Sequence, residues 1–145
     1  MSVSPAIIAT QLPDRIVIVL NQHLPAGKAA NAAAVLAMTL GQRHPDLIGE
    51  PLQDADGQRY PGLIPLGISV LSAADEDLKL LLRQGAERGC DITIFPVDGQ
   101  QTTNYADFRQ AVATQSEQQL QLLGIAVAGE KKTVRKLVAS LKLFA

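Results

Sequence analysis

The pattern of residues predicts an α/β domain: a three-layer α/β/α sandwich around a four-stranded, mostly parallel (mixed) sheet, with a small β-hairpin excursion. Three observations support it. Short β-branched apolar runs alternate with longer stretches whose apolar residues recur every three or four positions. Glycine and proline clusters punctuate the joins. The 145 residues suit one hydrophobic core, so one domain over 1–145 is expected, with the hairpin insertion at about 46–67.

Arg15–Leu20 (RIVIVL) is continuously apolar after its first residue, the pattern of a strand buried on both faces. Gly27 to Gly41 reads as a helix, rich in alanine and apolar nearly all round, with Gly41 as its stop. Asp56-Gly57 marks a hairpin turn between Leu52–Ala55 and Gln58–Tyr60. Pro61, Gly62, Pro65 and Gly67 then exclude a helix, while Leu63, Ile64 and Leu66 ask for burial.

Ile68–Leu71 is the second strand. Ser72 and Asp75 form a capping-box pattern ahead of a helix carrying Leu78, Leu81, Leu82 and Ala86, ended by Gly89. Asp91–Phe95 is the third strand, followed by a polar loop over 96–103. Asn104 and Asp107 are placed to cap a short helix with Phe108 and Val112. Leu122–Ala128 is the fourth strand. Glu130 to about Lys142 is an amphipathic helix turning Val134, Leu137, Val138 and Leu141 inward.

Composition narrows the function classes. Net charge is −1, without the basic excess of a nucleic-acid binder. Lys131, Lys132, Arg135, Lys136 and Lys142 gather near the C-terminus, as a solvated helix face or a basic flank. Cys90 is the single cysteine, which fits a reducing, cytoplasmic location. Residues 1–12 have no basic segment ahead of an apolar core, so no signal peptide is expected. No run reaches the roughly 18 apolar residues of a membrane span. There is no metal-type Cys/His cluster, P-loop or dinucleotide fingerprint, so no metal and no cofactor are expected.

The chemistry concentrates where strands end. Lys28 falls in the first turn of a helix, where the dipole is already positive and free N–H groups bind anions. A lysine there strengthens an anion site for a phosphate, a carboxylate or a developing oxyanion. The plain alternative is a lysine reaching into solvent after a loop. Asp98 and Thr102 come after the third strand, in the loop position where α/β sheets bind ligands. There Asp98 serves to orient a water or the lysine, and Thr102 to donate a hydrogen bond. Equally, Asp98-Gly99 is a turn, and Thr102 or Thr103 a helix cap. His23, beside Gly27-Lys28, offers an imidazole suited to acid–base work, or is simply a surface group. His44 reads as structural, and Cys90 as a small core residue.

Arg15–Leu20, Leu24, Gly27-Lys28 and Ala32-Ala33 resemble the opening strand and helix of type II peptidyl-tRNA hydrolases. Leu123–Gly129, with Lys136-Leu137 and Leu141–Leu143, resembles that family's last strand and helix. The middle, with Tyr60-Pro61, Ile68–Leu71 and Arg83 to Phe95, is similar to an uncharacterised bacterial family, domain of unknown function 2000, in the same superfamily. Together the resemblance runs from about Asp14 to Phe144. It implies that fold, with Lys28, Asp98 and Thr102 as catalytic residues. It also implies Asn21, His23, Gly27 and Thr103 as anion or substrate contacts. The family's Asp-Ala-Gly-x-Thr loop stands here as Asp98-Gly-Gln-Gln-Thr102, which keeps the Asp-to-Thr spacing but not the Ala-Gly. Ala29 and Ala30 replace its second lysine, and Asn21 its basic residue after the first strand.

The residues support two readings. One is a small hydrolase acting on an ester or amide with an anionic group, such as a peptidyl or aminoacyl ester. A tRNA partner then requires the basic C-terminal residues to flank Lys28. The other is a non-catalytic binding module or dimeric interaction domain that keeps the anion pocket. The expected assembly is a homodimer through Leu63–Leu66 or the first helix, and no membrane association is expected.

Overall fold

The computed structural model describes residues 12–145; the signal-peptide reading of the N-terminus lies largely outside them. Seven strands and four α-helices are present among these residues. β1 is Arg15–Asn21 and α1 is Ala26–Arg43. A two-stranded hairpin, β2 (Leu52–Gln53) and β3 (Arg59–Tyr60), precedes β4 (Ile68–Ala73) and α2 (Asp75–Glu87). β5 (Asp91–Pro96), a 3-10 turn over Val97–Gln100 and α3 (Tyr105–Ala113) come next. β6 (Leu122–Gly129), α4 (Lys131–Leu137) and β7 (Lys142–Leu143) complete the chain.

The main sheet has five strands in the order β5-β6-β1-β4-β7, not the expected four. β1 and β4 pair in parallel, whereas β6 pairs antiparallel with both β1 and β5, and β7 antiparallel with β4. The sheet is therefore mixed, and mostly antiparallel by pairing. The cause is the insertion of β6, which returns through α3 and runs backwards between β1 and β5. β1, β4 and β5 still share one direction, so their carboxyl ends meet at one edge.

The core splits along the pleat. Ile16, Ile18 and Leu20 pack with Ala29, Ala32, Leu36 and Leu40 of α1. Val17 and Val19 pack on the other face with Leu78 and Leu81 of α2 and Val134 of α4. That alternation along β1, buried on both sides, produces the helix–sheet–helix layering. α1 is less buried than its composition predicts: Met38 is 81% exposed and Val35 40% exposed. Alanines at most other positions let one stripe alone meet the sheet.

Several boundaries differ from expectation. α1 runs through Gly41 and stops before His44-Pro45, because proline disfavours helix in the residue preceding it. Ser72 sits inside β4, so it caps nothing; α2 starts after Ala74, with Asp75, Glu76 and Asp77 in its first turn complementing the dipole. Gly89 does end α2, at φ +80°, where a side chain is strained. The last helix stops at Leu137, and Lys142–Leu143 instead adds an edge strand to β4. Asn104 caps α3 as expected, its Oδ1 accepting from Asp107 N–H at 2.8 Å.

The 46–67 excursion folds back on itself. Leu52 pairs with Tyr60 and Gln53 with Arg59. Asp54 organises the turn by accepting from the backbone N–H of Asp56 and Gln58, both at 2.9 Å. Ile64 and Leu66 pack against the α1 side of the core, while Leu63 is 69% exposed.

Candidate functional site

The shared edge at the carboxyl ends of β1, β4 and β5 carries the residues singled out by sequence. Asn21 closes β1. Its Oδ1 accepts from His23 N–H at 3.0 Å, and its Nδ2 donates to Asp75 at the start of α2. Asn21 thus ties three segments together, a positioning role as well as a polar surface. His23 itself is exposed.

α1 begins after Pro25, with no side-chain cap and no acidic residue in its first turn. The opening N–H groups of such a helix lack intrahelical partners. Nothing lies within 4 Å of where a Cβ on Gly27 would stand, so the space beside that turn is open. Lys28 is exposed there. The 3-10 turn after β5 docks onto the same turn: Gln100 Nε2 donates to the Lys28 carbonyl at 3.2 Å and to Asn31 Oδ1 at 3.0 Å. Gln100 Oε1 is buried with no partner among the described residues.

Asp98 lies in that turn and Thr102 just after it, and both take partners other than Lys28. Thr102 Oγ1 donates to the Asp98 carbonyl at 2.8 Å. Asp98 Oδ2 accepts from Gln115 Nε2 at 3.1 Å. Among the described residues, no ion pair within 4.0 Å links Lys28 to Asp98. Thr102 and the exposed Thr103 line a cavity of about 380 Å³ between α1, β5 and α3, with Phe95 and Phe108 in its walls; neither Lys28 nor Asp98 lines it. The site residues therefore share one edge but form two clusters, Gly27-Lys28 with Gln100 and Asp98–Thr102 with Gln115.

A bulge shapes this edge. Phe95 stands opposite Gly124 and Pro96 opposite Leu122, which leaves Leu123 as an extra residue in β6. Such bulges bend a strand and re-aim the residues beyond it. Just beyond it, Val97 N–H donates to the Gln121 carbonyl at 2.8 Å.

The basic residues of α4 are elsewhere, whereas Lys142 of β7 pairs with Ser72 near the carboxyl end of β4. Gly129, at the end of β6, registers with Arg15 at the start of β1. α4 therefore begins at the opposite edge of the sheet and packs on the face away from α1. Its lysines do not flank Lys28.

The opposite edge holds a cavity of about 900 Å³, lined by Arg43, His44, Arg88, Cys90, Asp91 and Glu130 among others. Three of its side chains meet in one knot. Arg43 grips Asp91 with two hydrogen bonds of 3.0 and 2.7 Å, and His44 Nε2 lies 2.7 Å from Asp91 Oδ2. Burial works to raise the Asp91 carboxyl, but the hydrogen bonds and charge of Arg43 and His44 hold it below its ordinary 3.8. The Cys90 thiol is pushed up by burial, against the charge of Arg88, which makes it a poor nucleophile. The knot locks the end of α1 to the start of β5.

Sequence reading passed over Gln100, Asn31 and Gln115. Only Asn31 left a signal, since it lies three residues after Lys28 on one helix face. Among the described residues, no group of three or more His, Cys, Asp or Glu is placed to hold a metal, and no helix is long and apolar enough to cross a membrane.

Comparison with known proteins gives a family and a fold. The model of a family described as "Protein of unknown function (DUF2000)" matches residues 14–145. A solved structure of a protein of unknown function, Atu0240 from Agrobacterium tumefaciens strain C58, superimposes with a TM-score of 0.83 at 25% identity, covering 90% of this chain and 97% of that one. No curated protein matches.

Proposed function

The chain belongs to the DUF2000 family of proteins of unknown function, and we propose that it is a binding module for a small organic anion, seated at the start of α1. One observation carries this reading. Lys28 occupies the first turn of an 18-residue helix that has neither an acidic residue nor a side-chain cap there. A lysine in that place opposes the helix dipole, and a bound anion reverses the balance by meeting both the lysine and the free N–H groups. Asn31 and Gln100 extend the polar rim. The fold is proposed to be of the type II peptidyl-tRNA hydrolase kind, with the catalytic loop turned to structural duty.

The second reading is a hydrolase of an ester or amide bearing that anion. The docking of the Asp98–Thr102 turn on α1 through Gln100 favours it. It requires Asp98 to leave Gln115 and turn toward Lys28. The placement of α4 favours a small ligand over tRNA for either reading.

The test is a titration of the ¹⁵N-labelled chain with N-acetylalanine. Amide shifts at Gly27, Ala29, Asn31 and Gln100 that vanish in Lys28→Ala support the module. No perturbation there overturns it. In parallel, hydrolysis of an N-acetyl aminoacyl ester is measured for the wild type, Lys28→Ala and Asp98→Ala. Turnover lost in both variants establishes the hydrolase; turnover absent, or indifferent to both, rejects it.

A further inference from the structure

A second polar recess lies at the other end of the parallel pair. Val17 of β1 registers with Ser69 of β4, and Val19 with Leu71. Arg15 precedes Val17 by two residues, so it projects on the same face of the sheet. On that face α4 and the turn after it bring Arg135 and Val138 over the strands. The result is a cavity of about 370 Å³ whose lining includes Arg15, Ser69, Arg135 and Leu141.

Its charge is unbalanced. Both ionisable residues in the lining are arginines, and no carboxylate lines it. Arg15 Nε is buried with no hydrogen-bond partner among the described residues. Neither arginine makes an ion pair within 4.0 Å among them. Residues 1–11, MSVSPAIIATQ, contain no aspartate or glutamate, so they bring no acidic side chain to it. A buried guanidinium donor without an acceptor is costly, and two cations around one recess add repulsion. An anion between the two guanidinium groups relieves the repulsion. Guanidinium forks match carboxylate and phosphate oxygens. The remaining walls are apolar, from Val17, Leu71 and Val138, and the volume lies near the lower end of small-molecule sites.

We propose that this recess is a binding site for a small organic anion, a carboxylate or phosphate monoester with a short apolar body. The anionic head lies between Arg15 and Arg135, with the Ser69 hydroxyl as a further donor, and the body lies against Val17 and Val138. The site is separate from the Lys28 helix start and stands whether or not that one binds anything.

The experiment uses the full chain carrying Lys28→Ala, so that any anion seen is bound elsewhere. The ¹⁵N-labelled protein is titrated with hexanoate, phenyl phosphate, inorganic phosphate and hexanol. Hexanoate or phenyl phosphate is expected to shift the amides of Arg15, Ser69, Leu71 and Arg135; whichever binds more tightly identifies the head group. Hexanol is expected to bind at least tenfold more weakly. Arg135→Ala, at an exposed position, is expected to weaken the preferred anion at least tenfold, and Arg15→Gln by a similar factor. No perturbation at these amides overturns the proposal. So does hexanol binding as well as hexanoate, inorganic phosphate binding as tightly as phenyl phosphate, or an unchanged affinity in Arg135→Ala.

Discussion

Gln100 holds Asn31. Its Nε2 donates to Asn31 Oδ1 at 3.0 Å and, from the same amide, to the Lys28 carbonyl at 3.2 Å. Residues from the loop after β5 and the helix after β1 are thereby held in one rim, although about seventy positions separate them in the chain.

Gln100→Ala removes both bonds while leaving Lys28 in place. Partly exposed neutral hydrogen bonds contribute modestly, so the loss of stability is expected to be about 1 kcal/mol. N-acetylalanine binding at the α1 start should weaken several-fold, because the rim no longer orders Asn31. Chemical denaturation and the same NMR titration measure the two effects. A large loss of stability with unchanged binding contradicts the positioning role.

The Arg43–Asp91–His44 knot predicts a pH dependence. Asp91 titrates below its ordinary 3.8 in the folded chain, so it binds a proton less readily folded than unfolded. Its contribution to stability is fully present above that ordinary value and is lost as pH falls through the depressed folded one. Asp91→Asn should lower stability by about 1 kcal/mol at neutral pH, a figure reduced for the solvent exposure of Arg43. The variant should also flatten the acid limb of the stability curve. Urea melts between pH 7 and pH 2.5 test this; parallel curves for both proteins refute it.

Gly124 predicts a steric limit. A Cβ there would stand 2.8 Å from Leu20 Cδ2, 2.9 Å from the Val19 carbonyl oxygen and 3.2 Å from Leu36 Cδ1. One of these contacts is backbone, so β6 must move away from β1 or α1 must lift. Gly124→Ala is expected to cost roughly 1–3 kcal/mol, the usual range for overpacking. It should also disturb the adjacent bulge at Leu123. A melting temperature equal to wild type would contradict this close packing.

Residue pattern alone specifies the alternation of strands and helices and the chemical residues of the edge. β1 is legible because burial on both faces demands an unbroken apolar run, and α2 because its buried leucines keep helical spacing. The hairpin and the α3 cap are legible because their bonds are local, from Asp54 and Asn104 to neighbours within four residues. Lys28, Asp98 and Thr102 are legible as chemistry, since residue type and strand-end position need no partner.

Strand order, strand direction and side-chain pairing are set by the packed chain. β7 has two residues and exists because β4 offers a free edge to Lys142 and Leu143. The reversal of β6 depends on where α3 returns the chain, which periodicity does not encode. Asp98 turns to Gln115, and His44 meets Asp91 across 47 positions. Such contacts are chosen by packing, because a polar side chain takes whichever partner the closed core leaves within reach.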